Sequence, residues 1–289
     1  MPHIDGRSGE IVIRIVYDGP PEAGKTTNVK QLGELISLQR RGAAASPGTH
    51  GPRTEFFDWL DFAGGYVDGR KVRCQLVSVP GQPALLHRRR YLLETADAIV
   101  LVADSRMAQH SPAADSLEGT RRIVGRLGSP VPVGLVVQAN KQDLEGAQSP
   151  EVVAQQLRVD AGTPVVGSAA VRSEGVMQTF VLAVRLATDR VRALVLGDAL
   201  LEDRASGDDP LGLHAVMLAL EPPAEEAPPP PAEEAAPPAK TPPVPPPRGV
   251  EPPGRSNPLR VRTWPSVPQP MELQSGHIWP PVKGRAALA

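Results

Sequence analysis

Cysteine is nearly absent from this chain: Cys74 stands alone, so it can form neither an internal disulfide nor a Cys-based metal site. Within the alternating run "KVRCQLVSV" it reads as a buried strand thiol. Long apolar runs are missing too. Nothing approaches the roughly 20 residues that span a bilayer, so no transmembrane segment is expected. The N-terminus "MPHIDGRSGE" lacks the basic and apolar parts of a signal peptide and the Gly that myristoylation needs, and "GRAALA" offers no prenylation cysteine. A cytoplasmic location is therefore expected. With a formal net charge of -1, the chain has no global attraction to nucleic acid or to an anionic membrane, and no nucleic-acid partner is expected. Aromatic residues, at 3%, are too few for a uniformly globular chain of this length.

Proline is what the sequence has in excess, with 34 among 289 residues. It is crowded into the text from about Glu221, "EPPAEEAPPPPAEEAAPPAKTPPVPPPRGVEPPGR", which has too few large apolar side chains to offset the entropy of ordering its backbone. The expected organisation is one folded domain over 1–200, a short amphipathic extension over 201–220, and a Pro-rich disordered tail over 221–289. The extension contains "DPLGLHAVMLALE", with Leu211, Leu213, Val216, Met217 and Leu220 on one apolar side, suited to docking on the domain or on a partner. In the tail, "PPVPPPR" (Pro242 to Arg248) fits P-x-x-P-x-R, the pattern of a polyproline II ligand, beside the plainer role of spacer.

From Ile11 to about Gly197 strand-like and helix-like stretches alternate. Strands are expected at Ile11 to Tyr17, Lys71 to Val79, Ala98 to Ala103, Val131 to Gln138 and Pro164 to Val166. Helices are expected at Thr26 to Gln39, Ala84 to Glu94, Pro112 to Leu127, Pro150 to Val159 and Gly175 to Leu196. Such alternation implies crossover units: an α/β fold, mostly parallel in its sheet, with helices on both faces. The run "EFFDWLDFAGGYVDGRKVRC" reads as a hairpin that places one antiparallel strand at the sheet edge. Upstream, "QRRGAAASPGTHGPR" has the Gly, Pro and Ser content of a long mobile loop.

The chemistry begins at "GPPEAGKTTN", which fits G-x-x-x-x-G-K-[ST] at Gly19, Gly24, Lys25 and Thr26 and follows the first strand directly. Strand, glycine-rich turn and helix together aim successive backbone N–H groups and a helix N-terminus at an anion. Glu22, Ala23, Gly24, Lys25, Thr26 and Thr27 then supply the phosphate contacts, with the ammonium of Lys25 on the β- and γ-phosphates and the hydroxyl of Thr26 on Mg²⁺. The base is chosen elsewhere. In "NKQD", placed after a strand, the carboxylate of Asp143 accepts from N1–H and the exocyclic amine of guanine, an edge that adenine lacks; Asn140 ties the loop to the phosphate loop and the stem of Lys141 covers the base. GTP and GDP are the expected nucleotides. An ATP-dependent kinase or motor would require the opposite preference.

The order of "GPPEAGKTTN", "PRTEFFDW", "VPGQ", "NKQD" and "GSAA" resembles a small Ras-like GTPase with a three-layer P-loop fold. "RTEFFD", "VPGQ" and "GKTTN" make it most similar to the bacterial MglA group, which acts in cell polarity and gliding motility. The resemblance runs from about Glu10 to Leu196. It implies that Thr54 of switch I senses the γ-phosphate and Mg²⁺, that Gly81 and Gln82 of switch II face the γ-phosphate and the attacking water, and that Arg53 acts as a built-in arginine finger. Ser168, Ala169 and Ala170 correspond to the loop whose backbone meets the guanine carbonyl, and Asp58 to a carboxylate of the group's pattern. The implied partners are a Roadblock-type GTPase-activating protein and polarity or motility effectors.

Two positions depart from the Ras-like pattern. Ser78 stands where most small GTPases carry the aspartate that holds Mg²⁺ through water, a change that the MglA group shares. Pro21 stands where glycine is usual, and its ring, which carries no N–H, would crowd the attacking water and Gln82. The expected function is a GTP-binding switch that hydrolyses GTP slowly and under stimulation; the alternative is a hydrolysis-impaired, GTP-bound scaffold that recruits partners through its switches and tail. "HRRRY" (His87 to Tyr91) reads as a charged, solvent-facing surface, with a partner contact second.

Overall fold

A computed structural model of the chain describes residues 2–37, 39–45, 49–50, 53–54, 57–79, 85–106, 110–197, 201–202 and 208–220. The chain divides into units Met1–Pro228 and Pro229–Ala289, and every described residue lies in the first. The expectations for Gly81, Gln82 and the Pro-rich tail, and for the side chains of Arg53 and Thr54, fall outside the described residues.

In chain order the first elements are β1 (His3–Ile4), β2 (Ile11–Asp18), α1 (Lys25–Leu35), β3 (Arg41–Ala45), β4 (Thr49–His50) and β5 (Arg53–Thr54). The hairpin β6 (Asp58–Val67) and β7 (Arg70–Ser78) follows, then α2 (Leu86–Glu94), β8 (Ala98–Asp104), α3 (His110–Gly125), β9 (Gly134–Asn140) and α4 (Pro150–Gln156). The last are β10 (Val165–Gly167), α5 (Val176–Leu196), β11 (Leu201–Glu202) and α6 (Pro210–Ala219). The main sheet runs β10-β9-β8-β2-β7-β6-β3. From β10 to β7 neighbours are parallel, so the expected Ras-like α/β architecture is present.

Every residue of β2 is buried, because both faces of a central parallel strand are covered by helices. Alternate side chains serve opposite layers. Ile11, Ile13, Ile15 and Tyr17 join the cluster under α1 and α5, whereas Val16 joins the cluster of the α2 side. On β8 and β9, Leu101, Ala103, Val137 and Ala139 pack with α3 and α4. Cys74 is fully buried in β7, as its alternating context implied.

Two expectations need correction. The hairpin strand β6 is antiparallel to β7, but it is not the edge: Arg41–Ala45, expected as part of a mobile loop, forms β3 antiparallel to β6. An unpaired strand edge offers a row of N–H and C=O groups, and backbone pairing needs no large side chain. Gly42 suits the place, since a Cβ there would come within 2.9 Å of Cβ of Asp61. Sequence patterning sees side chains, and this strand has few. The arginines of "HRRRY" also behave differently from a solvated face, because Arg88 is buried and Arg89 lies in a buried network described below.

Asp61 of β6 is buried on the α2 side of the sheet. Burial pushes its carboxyl up to about 6, against Trp59, Arg73 and Arg14, and the carboxylate of Asp209 adds to the rise. A folded-state value above the ordinary one means that the folded protein holds more protons between about pH 4 and 6, so stability falls as pH rises through that window. Asp61→Asn is therefore expected to stabilise the fold at pH 8 by about 2 kcal/mol and by much less at pH 4, which urea unfolding at the two values measures.

Candidate functional site

The carboxyl ends of β2, β9 and β10 open on one crevice, where ligands bind in open α/β sheets. At the end of β2 the chain turns through Gly19, Glu22 and Gly24, all with positive φ (138°, 62° and 106°), before α1 begins at Lys25. The helix has no side-chain cap at this N-terminus, which leaves its first N–H groups directed at the crevice. Glu22 and Pro21 are exposed, so the Glu22 carboxylate sits at the solvent side of the loop.

Lys25 is 7% exposed. Its ammonium donates to the carbonyls of Gly19 at 2.8 Å and Pro20 at 2.7 Å and so spans the loop from inside. Burial pushes its pKa down to about 8; Asp18 and Asp58 oppose the fall, and Arg89 adds to it.

Asn140 joins the three motif segments. Its Nδ2 donates to the carbonyl of Ala23 at 2.8 Å, and its Oδ1 accepts from Ser168 Oγ and from the N–H of Ala170, both at 3.0 Å. Gly24 leaves room for this, since a Cβ there would collide with the Asn140 amide. Ser168, Ala169 and Ala170 are buried at the end of β10, while Lys141 and Asp143 are half-buried beside the crevice.

Ser78 has an acidic neighbour in Asp58. The two residues are paired in register across β6 and β7. Asp58 is 2% exposed, and its Oδ2 accepts from Ser78 Oγ and from Thr26 Oγ1, each at 2.7 Å. A carboxylate therefore stands beside position 78, on the neighbouring strand, and reaches the hydroxyl of Thr26. The sequence contained Asp58, but only strand register brings it to Thr26.

Several supporting residues were not singled out from the sequence. Asp104, at the end of β8, forms ion pairs with Lys141 at 2.9 Å and Arg106 at 2.6 Å. Burial opposes its ionisation, but the bonds from Arg106 and Lys141 prevail and hold it well below the usual carboxylate range. Gln142, inside "NKQD", donates to Ser105 Oγ at 2.7 Å and to the Gln148 carbonyl at 2.9 Å, bracing the loop that presents Asp143. Asp18 is fully buried and takes a two-point bond from Arg89 of α2 at 2.8 and 2.7 Å, plus one from Thr120 Oγ1 at 2.6 Å. Desolvation works against the charged form of Asp18, yet these bonds outweigh it and lower its pKa. A buried carboxylate needs such partners; an acidic residue at a strand end followed by a glycine turn was the available signal.

No protein-family model matches the chain. It is 35% identical over 158 residues to the mutual gliding-motility protein MglA of Myxococcus xanthus (strain DK1622), an alignment that takes in 54% of this chain and 81% of that protein. Among the described residues no helix is long and apolar enough to cross a membrane.

Proposed function

The chain belongs to the MglA family of Ras-like small GTPases, and from that premise we propose a guanine-nucleotide switch that cycles between GTP and GDP and controls polarity or motility effectors. The observation that carries this most directly is Asn140, whose one side chain ties the Gly19–Thr26 turn to the "NKQD" and "GSAA" segments. It would hold phosphate and base sites at a fixed spacing.

Within this scheme, N–H groups from Glu22 to Thr27 and the ammonium of Lys25 bind the phosphates, and Asp143 reads guanine. The hard oxygens of Thr26, with Asp58 and Ser78 behind it, fit Mg²⁺, which takes few protein ligands and keeps several waters. Thr54 completes that site in the GTP state. Mg²⁺ held there would supply positive charge against the phosphates. Thr26 would keep a lone pair for the metal because its proton is committed to Asp58. Gln82 orients the attacking water, and Arg53 places positive charge where it accumulates in the transition state. A Roadblock-type activating protein is the proposed partner that sets switch I, and the tail is a candidate ligand for a polyproline-binding partner.

Nucleotide copurified with the full chain and identified by chromatography, followed by competition of GTP against ATP, tests the nucleotide assignment. Adenosine preference would overturn it. Single-turnover hydrolysis then separates the enzyme from the scaffold: turnover lost in Gln82→Leu or Arg53→Ala supports the enzyme, and no turnover with or without an activating protein supports a GTP-locked scaffold.

Lys25 adds a pH prediction. Free, its ammonium loses its proton above about pH 8; a bound phosphate would keep it charged. Affinity for GDP is expected to be flat below about pH 7.5 and to weaken by up to about tenfold per pH unit above pH 8. Titration at pH 7, 8 and 9 measures this, and a flat profile would mean that the Lys25 ammonium keeps its proton over this range with or without bound phosphate.

A further inference from the structure

The helix α6 lies beyond the elements that build the nucleotide crevice, yet it is fastened to the strand pair behind it. The carbonyl of Asp208 accepts from Arg73 Nη1 at 3.0 Å and from Gln75 Nε2 at 2.9 Å, both on β7. Its carboxylate meets His3 Nε2 at 2.6 Å, and Asp209 caps the helix by accepting from the N–H groups of Leu211 and Gly212. Further along, Leu213 and Met217 are fully buried in the cluster that contains Phe57, Trp59, Val77 and Val79.

Strand alternation gives that placement its meaning. Phe57 and Trp59 face α6's side of the sheet, and Leu60 and Phe62 face the α1 side. Asp58, between Phe57 and Trp59, projects toward α1 and bonds Thr26. At the end of β7, Val77 and the following Val79 flank Ser78 in the same manner. The apolar side chains on either side of both polar residues are therefore packed in the cluster that α6 completes.

We propose that α6 is a positioning element for the nucleotide site: Leu213 and Met217 hold the Phe57–Trp59 and Val77–Val79 stretches in place, and so set the Asp58 carboxylate against Thr26. The claim rests on the nucleotide reading above and goes beyond it, because it couples a C-terminal helix to Mg²⁺-dependent nucleotide retention. Coupling of this kind is reciprocal, so Mg²⁺ and nucleotide tighten the docking of α6 in turn. The outward stripe of α6, with Leu211 82% and Leu218 46% exposed, takes no part in it.

The test uses the full chain loaded with a fluorescent guanosine diphosphate. Met217→Asp is expected to raise the Mg²⁺ concentration for half-maximal retention by about tenfold, with release in excess chelator unchanged. Leu213→Ala, a milder cut, should shift it the same way by about threefold. Met217→Leu and Leu218→Asp should behave as the unsubstituted chain. The proposal is overturned if Met217→Asp and Leu213→Ala leave the Mg²⁺ dependence unchanged, or speed release equally with and without Mg²⁺. If the unsubstituted chain retains no guanosine nucleotide, the nucleotide reading falls instead. Amide exchange then decides the positioning claim: faster exchange at Asp58 and Trp59 in Leu213→Ala supports it, and unchanged protection overturns it.

Discussion

Replacing Asp58 by alanine is expected to remove the effect of Mg²⁺ on nucleotide release, making release at millimolar Mg²⁺ about a hundredfold faster. This carboxylate is buried and accepts from two hydroxyls, Ser78 and Thr26, at 2.7 Å each. Its removal takes away the negative charge nearest the Thr26 hydroxyl and leaves two donors to find new partners. Hydrogen bonds to a charged group are worth about 1.5–3 kcal/mol each, and a loss of about 2.8 kcal/mol is two decades in a rate or affinity. Asp58→Asn separates charge from shape: it keeps an acceptor for Thr26 but not the charge, and should still lose most of the Mg²⁺ response. Ser78→Asp would place a second carboxylate beside the first across the strand pair, and like charges so close raise each other's pKa. That substitution should weaken the site, although it restores the residue common in other small GTPases. A Mg²⁺ response in Asp58→Ala equal to that of the unsubstituted chain would move the metal site elsewhere.

Arg89→Ala is expected to cost about 3–5 kcal/mol of folding stability, measured by urea unfolding at neutral pH. Its partner Asp18 has no exposed side-chain surface, and Arg89 itself is 12% exposed. Besides its fork onto Asp18, Arg89 donates to the Ser116 carbonyl at 2.8 Å and to Thr120 at 3.1 Å. Taking away the guanidinium strands a buried carboxylate, which is the expensive way to break a pair. Pairing the change with Asp18→Asn should recover a large part of the loss, because the uncompensated charge goes with it. A cost below about 1 kcal/mol would mean that the pair behaves like an exposed one.

The two halves of "HRRRY" explain why this network escaped patterning. Arg90 pairs with Glu94 one turn on and stays in solvent, as a charged helix face suggests, whereas Arg89 beside it turns into the α2–α3 contact. Charge alone does not say which arginine is buried; that depends on where Asp18 and Thr120 arrive. The extension shows the same limit. The sequence pattern puts Leu211 and Leu220 on one apolar face with Leu213 and Met217, but Leu211 and Leu220 are exposed and Leu213 and Met217 are inside, because a helix with apolar residues nearly all round does not state which face will dock.

Short-range chemistry determined much of this protein from sequence alone. The strand, glycine turn and Lys25-Thr26 sequence is contiguous, so the turn's geometry follows from its own residues; apolar runs announced β2, β7, β8 and β9, and the helices between them required a parallel sheet. Tertiary structure decided whatever depends on residues far apart in the chain meeting across a strand pair or between layers. The register of β6 on β7 brings Asp58 to Ser78 and Thr26, an exposed edge recruits Arg41–Ala45 into the sheet, and close packing hides Arg89 and seats α6. Local residue preferences cannot encode these, since each exists only once a second segment supplies the missing hydrogen-bond partner or apolar wall.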